Sequence, residues 1–74
     1  MVKKYDKSMI HHKMKVIIEE MVEKELPLKD ALREFEKIYI STASEKYNGK
    51  KVRMAKALGI HRNTLCNRIK ALKI

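Results

Sequence analysis

Apolar residues recur at helical intervals from near the start of the chain. Ile10, Met14, Ile17 and Met21 follow one another at spacings of four, three and four, and Ile18 and Val22 widen the stripe. That pattern predicts an amphipathic helix with a seam like a coiled coil's. Met9, Met14 and Met21 read as gap-filling core residues of this stripe. Ser8 is placed to cap the helix by accepting from a free N–H of its first turn, and the polar residues 1–8 are expected to fray as a flexible start. The helix should run to about Glu25, because Pro27 cannot continue it and biases Leu26 away from helical angles. A second helix is expected from Pro27 or Leu28, since proline is tolerated in a first turn. Its stripe is Leu28, Leu32, Phe35, Tyr39 and Thr42, flanked by Ala31 and Ile38, and Asn48-Gly49 stops it.

Two long helices with matching stripes and a short connection predict an antiparallel hairpin over residues 9–48. The hairpin could pack only on the C-terminal segment, but its stripes are wide for so small a partner. At 74 residues the chain is also near the size at which one core barely offsets chain entropy. Self-association through Ile10, Met14, Ile17, Met21, Leu28, Leu32, Phe35 and Tyr39 is therefore expected.

The remaining pattern is shorter. Val52, Ala55 and Leu58 form the expected inward face of a third segment over residues 50–58, with Lys50, Lys51, Arg53 and Lys56 outside. Gly59 breaks it, and a fourth segment carries Leu65, Ile69 and Leu72 on one side. Two short helices joined by a three-residue turn starting at glycine make a helix-turn-helix over residues 50–74, within a single all-α domain spanning 1–74. Ala55 is small where the last helix must cross close above it, Gly59 supplies a positive φ, and Ile60 and Leu65 fill the wedge. Asn63, Cys66, Asn67 and Lys70 then point outward, with Arg62 at the start of the helix. The same spacing also fits a plain helical hairpin.

Charge tips the balance. The net charge of +9 divides into +1 over residues 1–26, zero over 27–47 and +8 over 48–74, where eight Lys or Arg stand without one acid. A uniformly solvated surface does not produce that asymmetry, whereas a surface facing a polyanion does. An α-helix fits the major groove, where Arg reads guanine bidentately and Asn can read adenine. Lys50, Lys51 and Arg53 precede a helix N-terminus that itself attracts phosphate.

"NGKKVRMAKALGIHRNTLCNRIKAL" resembles the C-terminal helix-turn-helix of the Fis family of bacterial proteins. It is similar also to the domains that end nitrogen-regulatory-protein-C-type transcription activators, and "LPLKDALREFEKIYISTASEKYNG" resembles the helix before it. The resemblance covers roughly residues 26–74. It implies a homodimer in which the first two helices of each chain interlock as a four-helix bundle, and in which the last helices enter successive major grooves of double-stranded DNA. Bending of DNA and a weak sequence preference come with it. By position, Arg62 and His61 match base-edge contacts, while Lys50, Arg53, Thr64, Asn67 and Arg68 match positions at or near phosphates. Base contacts are thus expected at His61, Arg62, Asn63 and Cys66, and backbone contacts at Lys50, Lys51, Arg53, Thr64, Asn67, Arg68 and Lys70. The chain departs from the family at His61, where Asn, Ser or Gly is common, at Met54 in place of a small alanine, and at Cys66 and Asn67. The polar start is too short for the β-hairpin arm through which inversion-stimulating members contact recombinases. Either a free-standing protein, nucleoid-associated, or the terminal domain of a larger activator fits.

Other chemistry is thin. His11-His12 point about 100° apart on a helix and cannot share one metal ion. Cys66 is the single cysteine, so no internal disulfide or thiolate zinc site forms. No apolar run exceeds three residues, which leaves no membrane span or signal peptide and places the protein in the cytoplasm. No nucleophile sits beside a base at recognisable spacing, and four short helices enclose no sizeable pocket. Neither an enzyme, a cofactor nor a small-molecule ligand is expected. The alternative is a basic helical module for RNA, an acidic protein or an anionic membrane. RNA usually brings stacking aromatics, which the basic segment lacks, and a membrane would need Leu65, Ile69 and Leu72 outside.

Overall fold

The computed structural model describes residues 7–74, which form four helices and no strand. They fall into two compact units, the first ending at Ala31 and the second running from Leu32 to Ile74. Most of the expected flexible start lies outside the described residues.

In the first unit, helix α1 spans Lys7–Glu23. Ser8 is already inside it, so Ser8 is not the residue that precedes the first turn. The helix closes two residues earlier than proline alone implied, because Glu25 adopts the left-handed conformation (φ 57°) and the Leu26 N–H donates to the Met21 carbonyl at 3.0 Å. That is a Schellman closure made without glycine. Lys24 supports the last turn through an ion pair with Glu20 at 3.1 Å. Pro27 then opens the next helix, its carbonyl accepting from the Ala31 N–H at 2.9 Å. No residue of α1 is buried: Ile10, Met14 and Ile17 are exposed and Met21 is half-buried.

The second helix, α2, covers Leu28–Lys46 and supplies the second unit with one wall. Asn48 and Gly49, both at positive φ, end it, and the Gly49 N–H returns to the Ser44 carbonyl at 2.9 Å. Helix α3 (Lys51–Leu58) and helix α4 (Arg62–Leu72) complete the unit. Its core is Ile40 and Ala43 from α2, Met54 and Ala55 from α3, and Leu65 and Leu72 from α4, with Tyr47, Leu58, Ile60 and Ile69 packed against them.

Helix α2 carries two apolar faces. Glu36, Ile40, Ala43 and Tyr47 recur at spacings of four, three and four and look toward α3 and α4. Leu32, Phe35 and Tyr39 are centred roughly 80° away round the helix, and they remain exposed together with Leu28. Phe35 and Tyr39 stack within this exposed stripe, ring centroids 5.5 Å apart.

Helix α3 corrects the expected inward face. Val52 is 63% exposed, and the fully buried residue is Met54, at 1%. A two-turn helix accommodates either register, and Met54 wins because its long, unbranched side chain fills the space between three helices. Ala55 is buried as expected, and α4 turns Leu65, Ile69 and Leu72 inward as expected.

Candidate nucleic-acid interface

The geometry of the last two helices begins at Gly59. With φ 71° and ψ 29° it closes α3, and the Ile60 N–H donates to the Ala55 carbonyl at 3.0 Å. A Cβ at Gly59 would meet nothing within 4 Å, so the requirement for glycine is conformational and not steric. Ile60 packs on the core, and His61 begins the next helix. Its Nδ1 accepts from the Asn63 backbone N–H at 3.1 Å, which makes the imidazole the N-cap of α4. Accepting at Nδ1 leaves the ring proton on Nε2 in the neutral form.

Leu65, Ile69 and Leu72 fix which side of α4 faces in. Asn63, Asn67 and Lys70 therefore lie on the far side, all exposed, with Arg62 exposed at the start of the helix. Thr64 is exposed on one border of that face. Cys66 departs from expectation: it is half-buried on the other border, not fully outward.

The start of α3 shows the same electrostatic pattern. Lys50 takes the cap position in an extended conformation, with no side-chain hydrogen bond to the free N–H groups. Neither α3 nor α4 has an acid in its first turn. Lys51, Arg53 and Arg62 are thus cations held at the positive ends of helix dipoles, an arrangement that opposes folding unless an anion faces it. Arg53 is oriented by Tyr47, its guanidinium carbon lying 5.9 Å from the ring centroid, and Lys46 approaches the same ring at 5.8 Å.

Arg68 behaves differently from the other cations. Its Nε donates to Glu36 Oε2 at 2.6 Å and its Nη2 to Oε1 at 2.5 Å, a two-pronged pair between α4 and α2. The guanidinium holds the Glu36 carboxyl below the usual glutamate range, chiefly through these hydrogen bonds. Glu36 was not among the residues expected from sequence, and a separation of 32 positions hides it from any local pattern.

Across the sequence, the profile described as bacterial regulatory protein, Fis family, matches residues 31–72, more than half of the chain. The chain belongs to the Fis family. Comparison with curated proteins and with solved structures found no match to either. Fis-family membership makes this a regulatory, DNA-binding helix-turn-helix domain, and the match begins in α2 and ends with the last residue of α4. Among the described residues no helix is long and apolar enough to cross a membrane, and no three His, Cys, Asp or Glu side chains cluster as metal ligands.

Proposed function

We propose that this Fis-family chain is a homodimeric, sequence-tolerant double-stranded DNA-binding protein. It acts without catalysis, as the DNA-binding domain of a transcription regulator or as a nucleoid-associated protein that bends DNA, in the cytoplasm. The observation that carries the reading is the outward side of the helix-turn-helix: two helix N-termini without acids, bearing Lys51, Arg53 and Arg62, beside the exposed Asn63, Asn67 and Lys70. Arg62, Asn63 and His61 address base edges, with Cys66 at the margin. Lys50, Lys51, Arg53, Thr64, Asn67 and Lys70 hold the backbone. Phosphate contacts fix register, and base-edge contacts carry the sequence preference.

Dimerisation is supported by the apolar residues that one chain leaves uncovered: Ile10, Met14 and Ile17 on α1, and Leu28, Leu32, Phe35 and Tyr39 on α2, with Met21 half-covered. Packed against a second copy, they would make the four-helix bundle that presents two recognition helices to successive grooves.

The test is titration of random duplex DNA at several salt concentrations, with structured RNA and anionic vesicles as competitors. If each protomer neutralises about four phosphates, the dimer gives a slope near −7 in log K against log salt. A flat response, or preference for RNA or vesicles over duplex, would refute the reading.

A further inference from the structure

We infer that Glu36 and Arg68 form a latch that sets the roll of the recognition helix against α2, so that Arg68 serves DNA recognition as a positioning residue and not by holding a phosphate. The inference rests on the duplex-binding reading above and deepens it.

Four observations converge on the latch. The other cations of the acid-free segment, Lys50, Lys51, Arg53, Lys56, Arg62, Lys70 and Lys73, form no ion pair within the described residues, whereas Arg68 makes the ion pair that joins two helices. Its Nε/Nη2 edge, the edge that grips an oxyanion in a fork, is already filled by both carboxylate oxygens of Glu36.

Position gives the second observation. Arg68 stands three residues after Leu65 and four before Leu72, so it borders the buried line of α4 and lies well away from Asn63, Asn67 and Lys70. Glu36, in turn, precedes Ile40 by four residues and Ala43 by seven, on the α2 face that packs the core. The ion pair therefore continues the apolar contact between α2 and α4 at its edge.

Mechanics supplies the third. Helix α4 has only 11 residues and is anchored along one line by Leu65 and Leu72. A helix held along one line can still roll about it, and a planar guanidinium fork beside that line resists the roll in a way a point charge does not.

The last is electrostatic. A carboxylate brought into contact with a DNA-binding segment opposes association if its only effect is its charge. Its place here makes sense if it orients the helix.

The experiment compares Glu36→Gln, Arg68→Gln and the charge swap Glu36→Arg with Arg68→Glu, each in the full chain. Affinity is measured at fixed salt for a site selected from a randomised duplex pool and for random duplex. The ratio of the two cancels the sequence-independent charge effect. Glu36→Gln is isosteric and Arg68→Gln shortens a side chain that is 44% exposed, with Glu36 33% exposed, so the fold persists, and circular dichroism checks that it does. The latch predicts that both lower the ratio, in the same direction and by up to about fivefold, the ceiling for an exposed pair. It also predicts that the swap restores the ratio and that Arg68→Gln leaves the salt slope on random duplex unchanged.

A phosphate-holding Arg68 gives the opposite set, which would overturn the inference. Arg68→Gln would then weaken both duplexes alike and reduce the slope by about one per lost contact, while Glu36→Gln would strengthen binding. A wild-type chain that ignores duplex DNA fails the proposed function instead. In that case the latch is read in the free protein from the Arg68 Nε–H resonance. A shift of that signal in Glu36→Gln supports the ion pair, and an unmoved signal refutes it.

Discussion

Phe35→Ala should separate the association of two chains from the folding of each. In one chain the Phe35 ring is 50% exposed, so its removal leaves the core of Ile40, Ala43, Met54, Ala55, Leu65 and Leu72 untouched. A phenylalanine side chain offers roughly 200 Å² for burial, so about 100 Å² is left for a partner to cover. At about 25 cal/mol per Å² that is ~2.5 kcal/mol per protomer, and ~5 kcal/mol per symmetric dimer. Since 1.4 kcal/mol is tenfold, complete coverage would weaken dimerisation by between about three and four decades. Incomplete coverage, and the Cβ that alanine retains, make this an upper bound. Sedimentation equilibrium across micromolar concentrations would measure the shift, with circular dichroism confirming retained helix. Val52→Ala is the control, because Val52 is at least as exposed but lies on α3, off the stripe. The reasoning is refuted if Phe35→Ala associates as tightly as the parent chain, or if Val52→Ala dissociates it equally.

Leu65→Ala acts on the other side of the same molecule: with 0% exposure, Leu65 should lose about 2–5 kcal/mol on truncation, much of what so small a domain has, and thermal melts would read it. Arg62→Ala should abolish preference at one base pair in each half-site, worth roughly 1–3 kcal/mol of discrimination, while leaving most random-duplex affinity; selection from a randomised pool checks it. Glu36 should titrate below an ordinary glutamate. Because its folded pKa is depressed, the stabilisation from its pair with Arg68 is present above the unfolded value and is lost as pH falls through the folded one. A carbon NMR titration of the Glu36 carboxyl, returning to ordinary behaviour in Arg68→Gln, would verify the cause.

What the sequence made legible follows from how far each signal reaches. Helix ends at Pro27, Asn48-Gly49 and Gly59 could be read because proline and glycine act within a turn of themselves. The inward line of Leu65, Ile69 and Leu72 could be read because α4 offers no rival apolar line. Helix α2 hid its core-facing residues: Ile40 and Ala43 lie beside a longer stripe of larger side chains, and periodicity selects the stronger one. In α3 two turns were too few to choose between Val52 and Met54. Glu25 and Lys73 close helices at positive φ without any composition that announces it. The outward face of α4 was read correctly at Asn63, Asn67 and Lys70. Arg68 and Glu36, however, are brought together only by the packing of α2 on α4, and the capping role of His61 depends on a ring orientation that spacing cannot specify.

The two faces of α2 make that helix a phase keeper. Leu32, Phe35 and Tyr39 address whatever covers the exposed stripe, while Glu36, Ile40 and Ala43 hold the helix-turn-helix, and a single rigid backbone joins them. In a dimer formed on the stripe, the angular setting of each recognition helix is then counted in residues of α2. One residue inserted between Tyr39 and Ile40 would turn Ile40, Ala43 and the helices packed on them by about 100° relative to the stripe, advance them by about 1.5 Å, and part Glu36 from Arg68. Seven inserted residues would restore the bearing to within about 20° but lengthen the span. Length change in this helix is therefore quantised: if two chains associate on the stripe, related chains whose last helices stand at different separations should differ there by whole heptads.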